Sequence, residues 1–488
     1  MDRPEQAVSA AQWGVHPALN DVEALMWKAE ASPKLRSAGV FVDLLDRAPD
    51  WQRLVAAHEW AVELVPRLRQ RVVEDPLRVG PPTWVLDQGF DLDYHVRRVR
   101  APEPASFDDA LTIAQALAMA PLDRARPLWE AVLVEGLADG RAAYLLKLHH
   151  SLTDGQASIQ LFELLHSTSP APTPDKVVPT TDIRRPDGRA RILGRHLTGS
   201  ARGAWRTAGR TVELGGDLVR RPAPTVTSGV RFASSLARVT GAPPAPPSPL
   251  MTNRGLSRRF GAIDLPLPWL RAAGKAAGGS LNDAYIASLV GGLRIYHLAH
   301  GVEVDALPIA FPVSLRKDDH PMGGNRFAGA RIAGPVAVAD PRDRIRIIRE
   351  RVLAAREEPA LDFMGFLAPV LTRVPAPVLT RLTERMLRAT DLQASNIAGL
   401  ARPAYIAGAE ILRMYPFAPV PGAAVMVTLV SHNGTCCIGI NADAAAIPDT
   451  ETFVDSLRAG FDEVLSLADK RLAEAEDSPH RTSGVGAG

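Results

Sequence analysis

His149-His150-Ser151-Leu152-Thr153-Asp154-Gly155 is the stretch from which the rest of the chain is read. Before it runs Ala142-Ala143-Tyr144-Leu145-Leu146-Lys147-Leu148, an apolar run of strand length. After it, Gln156 to His166 sets Ile159, Phe162 and Leu165 at helical spacing. The motif therefore sits where a strand gives way to a helix, a unit of layered α/β architecture. Successive strand side chains point to opposite faces. Two adjacent histidines in extended backbone would put one ring toward a channel and the other into packing. An imidazole titrates near neutral pH and suits a general base. Asp154 follows too closely to be a free second acid on the same strand face. Its expected job is to bend back to an arginine or a backbone N–H and hold the loop. Gly155 is expected to allow a turn that a Cβ would hinder. A structural pair or an adventitious metal site would show the same spacing, so the motif alone does not choose.

The chain around it has 488 residues, enough for two or three domains. A hydrophobic content of 46% and a net charge of +2 describe a globular protein and argue against nucleic-acid binding by bulk charge. Cys436 and Cys437 are neighbours in an apolar, strand-like run, which is neither a disulfide framework nor a zinc-type spacing. No metal is expected, and a reducing cytoplasm fits. The residues after Met1 lack the pattern of a signal peptide, and no apolar stretch reaches bilayer-spanning length.

Along the chain, helices and strands alternate through residues 1–167. Composition then shifts: residues 168–255 are rich in Ser, Thr, Pro and Arg, as in a linker. Within it Arg191, Arg195, Arg202, Arg206 and Arg210 recur at spacings of four and seven, with Ile192, Leu193, Leu197 and Trp205 beside them. This amphipathic pattern fits a surface for anionic lipid headgroups or a solvated bridging helix equally well. A second α/β block is expected over 256–470, with helices at Leu281 to Tyr296 and Thr452 to Leu467. Its strands are expected at Leu307 to Val313, Ala423 to Val430 and Cys436 to Asn441. The tail, 471–488, is polar and glycine-rich, an expected disordered end.

Several ordered motifs now converge. The block Pro121 to Glu130 contains Pro127-Leu128-Trp129; His149 to Gly155 reads HHxxxDG; Asn282-Asp283 precedes a helical pattern. Pro312-Val313-Ser314-Leu315-Arg316 and Gly324-Asn325-Arg326 follow, then Ser395-Asn396 and Tyr415-Pro416. In this order they resemble the bacterial wax ester synthase/diacylglycerol acyltransferase family, over about Asp21 to Leu467. HHxxxDG alone is shared with condensation domains and other chloramphenicol acetyltransferase-like enzymes. One departure is Ser395-Asn396-Ile397-Ala398-Gly399, where the family often has proline at the position of Ala398.

The resemblance implies two chloramphenicol acetyltransferase-like subdomains, each a mixed sheet with helices, joined by the Pro/Arg-rich linker. It implies transfer of a fatty acyl group from acyl-CoA, a substrate and not a cofactor, to diacylglycerol or a long-chain alcohol. No cofactor is expected. His150 is implied as the base, with His149 packing behind it and Asp154 and Gly155 shaping the loop. Asn282 is the candidate oxyanion donor, although an asparagine there would equally serve as a helix cap. Asp283 is expected to stabilise that helix N-terminus. Pro127 and Trp129 are expected to support the core under the site, Arg316 to hold Asp154 or a nearby carboxylate, and Ser395 and Asn396, later landmarks of the resemblance, to be supporting residues. A cytoplasmic protein, peripheral on the inner membrane or lipid inclusions, is the expected setting. Two alternatives remain: acylation of another alcohol or an amine, and an inactive protein coating lipid inclusions.

Overall fold

The computed structural model describes residues 13, 16–74, 81–172, 243–314, 325, 327–358, 371–372 and 374–468. Arg316, the Arg191–Arg210 segment and the 471–488 tail lie outside the described residues.

Through the first half run α1 (Asp21–Ala29), β1 (Ala38–Leu45), α2 (Trp51–Leu64), β2 (Gln70–Val73), β3 (Thr83–Leu86) and α3 (Leu92–His95). They are followed by β4 (Val96–Arg100), α4 (Phe107–Met119), β5 (Trp129–Glu135), β6 (Ala142–His149) and α5 (Gly155–Leu165). The second half opens with β7 (Arg258–Pro266), α6 (Leu267–Ala276), α7 (Leu281–Ala299), β8 (Leu307–Ser314) and β9 (Phe327–Gly334). Next come α8 (Pro341–Arg356), α9 (Ala376–Arg388), β10 (Leu392–Ile397), β11 (Tyr405–Ile406) and β12 (Ala409–Phe417). Then follow β13 (Val425–His432), β14 (Thr435–Asp443) and α10 (Thr450–Leu465).

Each half is built on a six-stranded sheet. The first has the order β11-β12-β1-β6-β5-β4 and the second β7-β14-β13-β10-β8-β9. Both are mixed: β4 runs parallel to β5, and β10 runs parallel to β13 and β8, among antiparallel neighbours. The expected two-sheet α/β architecture is therefore present. Its boundaries are not those read from the sequence. β11 and β12 lie within the stretch expected to form the second half, yet they complete the first sheet, with Val40 opposite Phe417 and Val42 opposite Tyr415. Single-sequence periodicity identifies a strand but not its partner, and this pairing spans nearly the whole chain. The expected linker is shortened too. Met251 is buried, and Ser248 bonds His297 Nε2 at 2.7 Å and the Asp391 carboxylate at 2.7 Å, so residues 243–255 belong to the second body.

The strand that leads into the histidines is buried on both faces. Tyr144 and Leu148 pack into one core with Trp129 and Phe162, while Ala143 and Leu145 pack on the other side with Val42, Tyr415 and Phe417. The second layer meets this face where the Phe260 and Phe417 rings stack 4.0 Å apart. Packing from both sides fixes the register, because a one-residue slip would turn every side chain to the wrong face. In the second half the core gathers around α7, whose middle, Ala284 to Leu293, is buried throughout. Cys436 and Cys437 lie free and buried in β14.

Candidate active site

His149 closes β6 opposite Ala38, and His150 is the first residue beyond it, its N–H donating to Ser37 O at 2.7 Å. The expectation of one inward and one accessible ring holds: His149 is buried and His150 is partly exposed. His149 Nδ1 accepts from Ser151, at 2.6 Å from its hydroxyl and 3.0 Å from its N–H. That leaves Nε2 as the protonated nitrogen. Nε2 lies 2.9 Å from Glu30 Oε1, close enough for attraction but off the line of a straight hydrogen bond. Burial by itself would raise the Glu30 pKa. His149, the Ser37 N–H and Arg124 outweigh it and hold this carboxyl below its usual range. Trp27 meets the His149 ring edge-on, 5.9 Å between centroids. His149 is thus locked into the first half. Among the described residues no three His, Cys, Asp or Glu side chains converge to hold a metal.

His150 reaches the second half instead. Its Nδ1 is 2.8 Å from Asn325 Oδ1, and Asn325 Nδ2 donates back to the His150 carbonyl. The amide cannot be turned over, because Nδ2 also faces the Glu23 carboxylate at 3.3 Å. Glu23 further accepts the Asn325 N–H at 2.9 Å, and Asn20 donates to the Asn325 carbonyl at 3.1 Å. An amide oxygen only accepts, so Nδ1 carries the proton and Nε2 keeps its lone pair. Burial pushes the His150 pKa below the ordinary value; the Asn325 bond and the Asp154 charge oppose this, and His149 adds to it. The ring is therefore neutral at neutral pH. Phe327 packs beside it, 5.7 Å between centroids.

Asp154 caps α5, its Oδ1 accepting the Ala157 N–H at 2.8 Å, which realises the expected loop-holding role through a backbone donor. Gly155 does not serve the expected turn, since its φ is not in the left-handed region. Its value is closeness: a Cβ there would sit 2.4 Å from Ile397 Cδ1 of β10. The missing side chain lets the loop of the first half press on the second. Pro127 and Trp129 are buried under the site as expected. Trp129 Nε1 donates to Leu68 O at 2.8 Å, and its ring stacks on His95 at 4.6 Å. The carbonyl of Leu128, between them, receives the His149 N–H at 3.1 Å.

From the second half, Asn282 is not a helix cap, contrary to that reading. Ser280 occupies the cap of α7 and closes a capping box with Asp283, so Asp283 does steady this terminus. Arg349 adds an ion pair to Asp283 at 3.3 Å. Asn282, freed from capping, has its Oδ1 approached by Asn396 Nδ2 at 3.5 Å. Asn396 and the buried Ser395 stand on β10, directly before Ile397. Gly155, Ile397, Asn396 and Asn282 thus form a contact chain across the seam. Sequence reading placed the Gly324-Asn325-Arg326 segment but gave Asn325 no role, and Glu23 and Glu30 went unnoticed. Their link to the histidines is long-range, with no local signal to reveal it.

Two sheet-built halves thus meet at the HHxxxDG loop, whose second imidazole is paired across the seam. Residues 19–285 match the model of the wax ester synthase/diacylglycerol acyltransferase catalytic domain, and 323–464 the model of the C-terminal domain of the same enzymes. The chain belongs to the wax ester synthase/diacylglycerol acyltransferase family. A Mycobacterium tuberculosis (strain H37Rv) protein, provisionally named a diacylglycerol O-acyltransferase, is 41% identical over 489 residues, 98% of either chain. Another protein of that strain, named likewise, is 30% identical over 446 residues, covering 88% of this chain and 85% of its own. In fold the chain is similar to the wax ester synthase/diacylglycerol acyltransferase of Marinobacter aquaeolei VT8, with a TM-score of 0.62 at 22% identity over 92% of this chain and 99% of that one. It is also similar to a starter condensation domain of rhizomide synthetase solved with C8-CoA and Leu-SNAC, with a TM-score of 0.55 at 13% identity over 92% and 94%.

Proposed function

We propose that this protein moves a fatty acyl group from acyl-CoA to the hydroxyl of diacylglycerol, and to long-chain alcohols, with His150 as general base. The observation that carries the reading is the 2.8 Å bond from His150 Nδ1 to Asn325 Oδ1, which leaves Nε2 as the unprotonated nitrogen. The acceptor hydroxyl oxygen attacks the thioester carbonyl carbon while its proton passes to Nε2. The C–O bond forms, the C–S bond breaks, and the same proton is returned to the departing thiolate. No residue is acylated. Asn282 supplies the neutral donor for the oxyanion: with Oδ1 turned to Asn396, its Nδ2 is the end left to donate. Diacylglycerol is favoured as acceptor by the names of the relatives at 41% and 30% identity.

The test is product formation from labelled palmitoyl-CoA with diacylglycerol and hexadecanol in parallel. His150→Ala is expected to lose at least about a hundred-fold in turnover, the usual worth of a general base. His149→Ala, which removes a buried prop, is expected to lose less. Equal turnover in wild type and His150→Ala rejects the base assignment. Folded wild-type protein that acylates neither alcohol rejects the acceptor assignment.

A further inference from the structure

Between the two halves, near the start of β1, lies an open cleft whose walls carry Lys34, Arg254, Arg258 and Arg388 against only Glu384 and Asp443. Both acids are already committed. Asp443 accepts the Gly255 N–H at 2.8 Å and pairs with Arg258 at 2.9 Å, while Ser32 bonds Glu384. Arg254 is equally held, its Nε donating to Gly422 O at 2.8 Å and its Nη2 lying 3.7 Å from Asp391. Burial first lowers the Arg254 pKa; Asp391 and Asp443 oppose this, and the charges of Arg388 and Arg258 add to it. Positive charge is thus crowded here. Lys34, from the first half, and Arg388, at the end of α9, carry no hydrogen bond or ion pair among the described residues.

Two unpaired cations from opposite halves, set against a rigid frame of two held arginines, suit a multiply charged anion. Its place relative to the candidate base narrows the choice. Lys34 is three residues before Ser37, whose carbonyl accepts the His150 N–H. That stretch of chain spans at most about 11 Å. We propose that this cleft holds the phosphate end of the coenzyme A donor, with Lys34 and Arg388 as its phosphate ligands and the pantetheine arm leading from it to His150. The inference rests on the reading of acyl-CoA as donor and adds the residues that recognise it.

The experiment compares palmitoyl-CoA with palmitoyl-pantetheine, which presents the same thioester without nucleotide phosphates. In the Lys34→Ala/Arg388→Ala double variant, the ratio of kcat/KM for the two donors is expected to fall about tenfold, the scale of two partly exposed charge contacts. The ratio cancels any general loss of folded protein. An unchanged ratio overturns the proposal. Calorimetry with adenosine 3′,5′-bisphosphate, the nucleotide end of coenzyme A, on full-length His150→Ala gives a readout independent of turnover. Binding that weakens about tenfold when Lys34 and Arg388 are also removed supports the cleft even if no acyl transfer is found, a result that would sink the donor reading alone. Sedimentation with phosphatidylcholine vesicles containing phosphatidic acid separates the other source of phosphate. Vesicle binding lost in the double variant, with nucleotide affinity unmoved, assigns the cleft to a lipid headgroup and overturns the proposal.

Discussion

His150 and Asn325 are 175 residues apart in sequence, yet their side chains share a hydrogen bond. Asn325→Ala would leave Nδ1 without its acceptor and let the ring turn or exchange tautomers. Losing a hydrogen bond to a buried group is worth roughly 1–3 kcal/mol, so kcat is expected to fall about ten- to hundred-fold. Asn325→Asp makes the sharper case, because an anion against Nδ1 raises the imidazole pKa. With His150 as the proposed base and its pKa depressed by burial, the acid limb of kcat/KM in wild type is expected below pH 6.5. Asn325→Asp is expected to move that limb upward. A pH–rate profile with the limb unmoved would leave Asn325 a purely structural residue. Sequence reading went as far as the two histidines, Asp154 and Asn282, because these stand in a recognisable order. It did not reach Glu23, Glu30 or the role of Asn325, since nothing local in the sequence marks a partner so distant.

Elements were the most legible scale. The apolar run before the histidines is β6, the helical spacing after them is α5, and the helices expected near Leu281 and Thr452 run from Leu281 to Ala299 and from Thr450 to Leu465. These follow from periodicity and caps, which are local. Gly155 shows where the local argument stops. Its residue type suggested a turn, whereas its neighbour Ile397 sits on another sheet altogether. Gly155→Ala forces a methyl against Ile397 Cδ1, an overpacking expected to destabilise by about 1–2 kcal/mol. Ile397→Val removes that terminal carbon, and the double variant is expected to recover most of the loss. Urea unfolding of the four proteins in this cycle checks it; additive losses would mean that the two residues do not meet as described.

For the molecule as a whole, stability is tied to buried histidines held neutral, His58 and His166 in the first half and His432 at the end of β13. Burial, and then the neighbouring charges of His432 and His58, push the His166 pKa down from 6.5 to about 3. Burial lowers those of His58 and His432 as well. A depressed folded-state pKa means that the unfolded chain binds more protons at acid pH. The contribution of these groups is full above pH 6.5 and is lost as pH falls from there toward 3. Urea midpoints are expected to drop steeply between pH 7 and 4.5, and less steeply in His166→Phe. Parallel curves for the two proteins would exclude His166 as a source of acid sensitivity.

The pairing of β12 with β1 has a consequence in time as well as in space. A chain leaving the ribosome exposes β1, β4, β5 and β6 about 250 residues before β12 follows. At the usual pace of roughly 5–20 residues per second, the outer edge of β1 waits on the order of 13–50 s for its neighbour. An unpaired edge of that kind is a template for association with other chains. Protein synthesis itself therefore holds this molecule open at the edge of β1, and chaperone capacity during expression is expected to affect its yield.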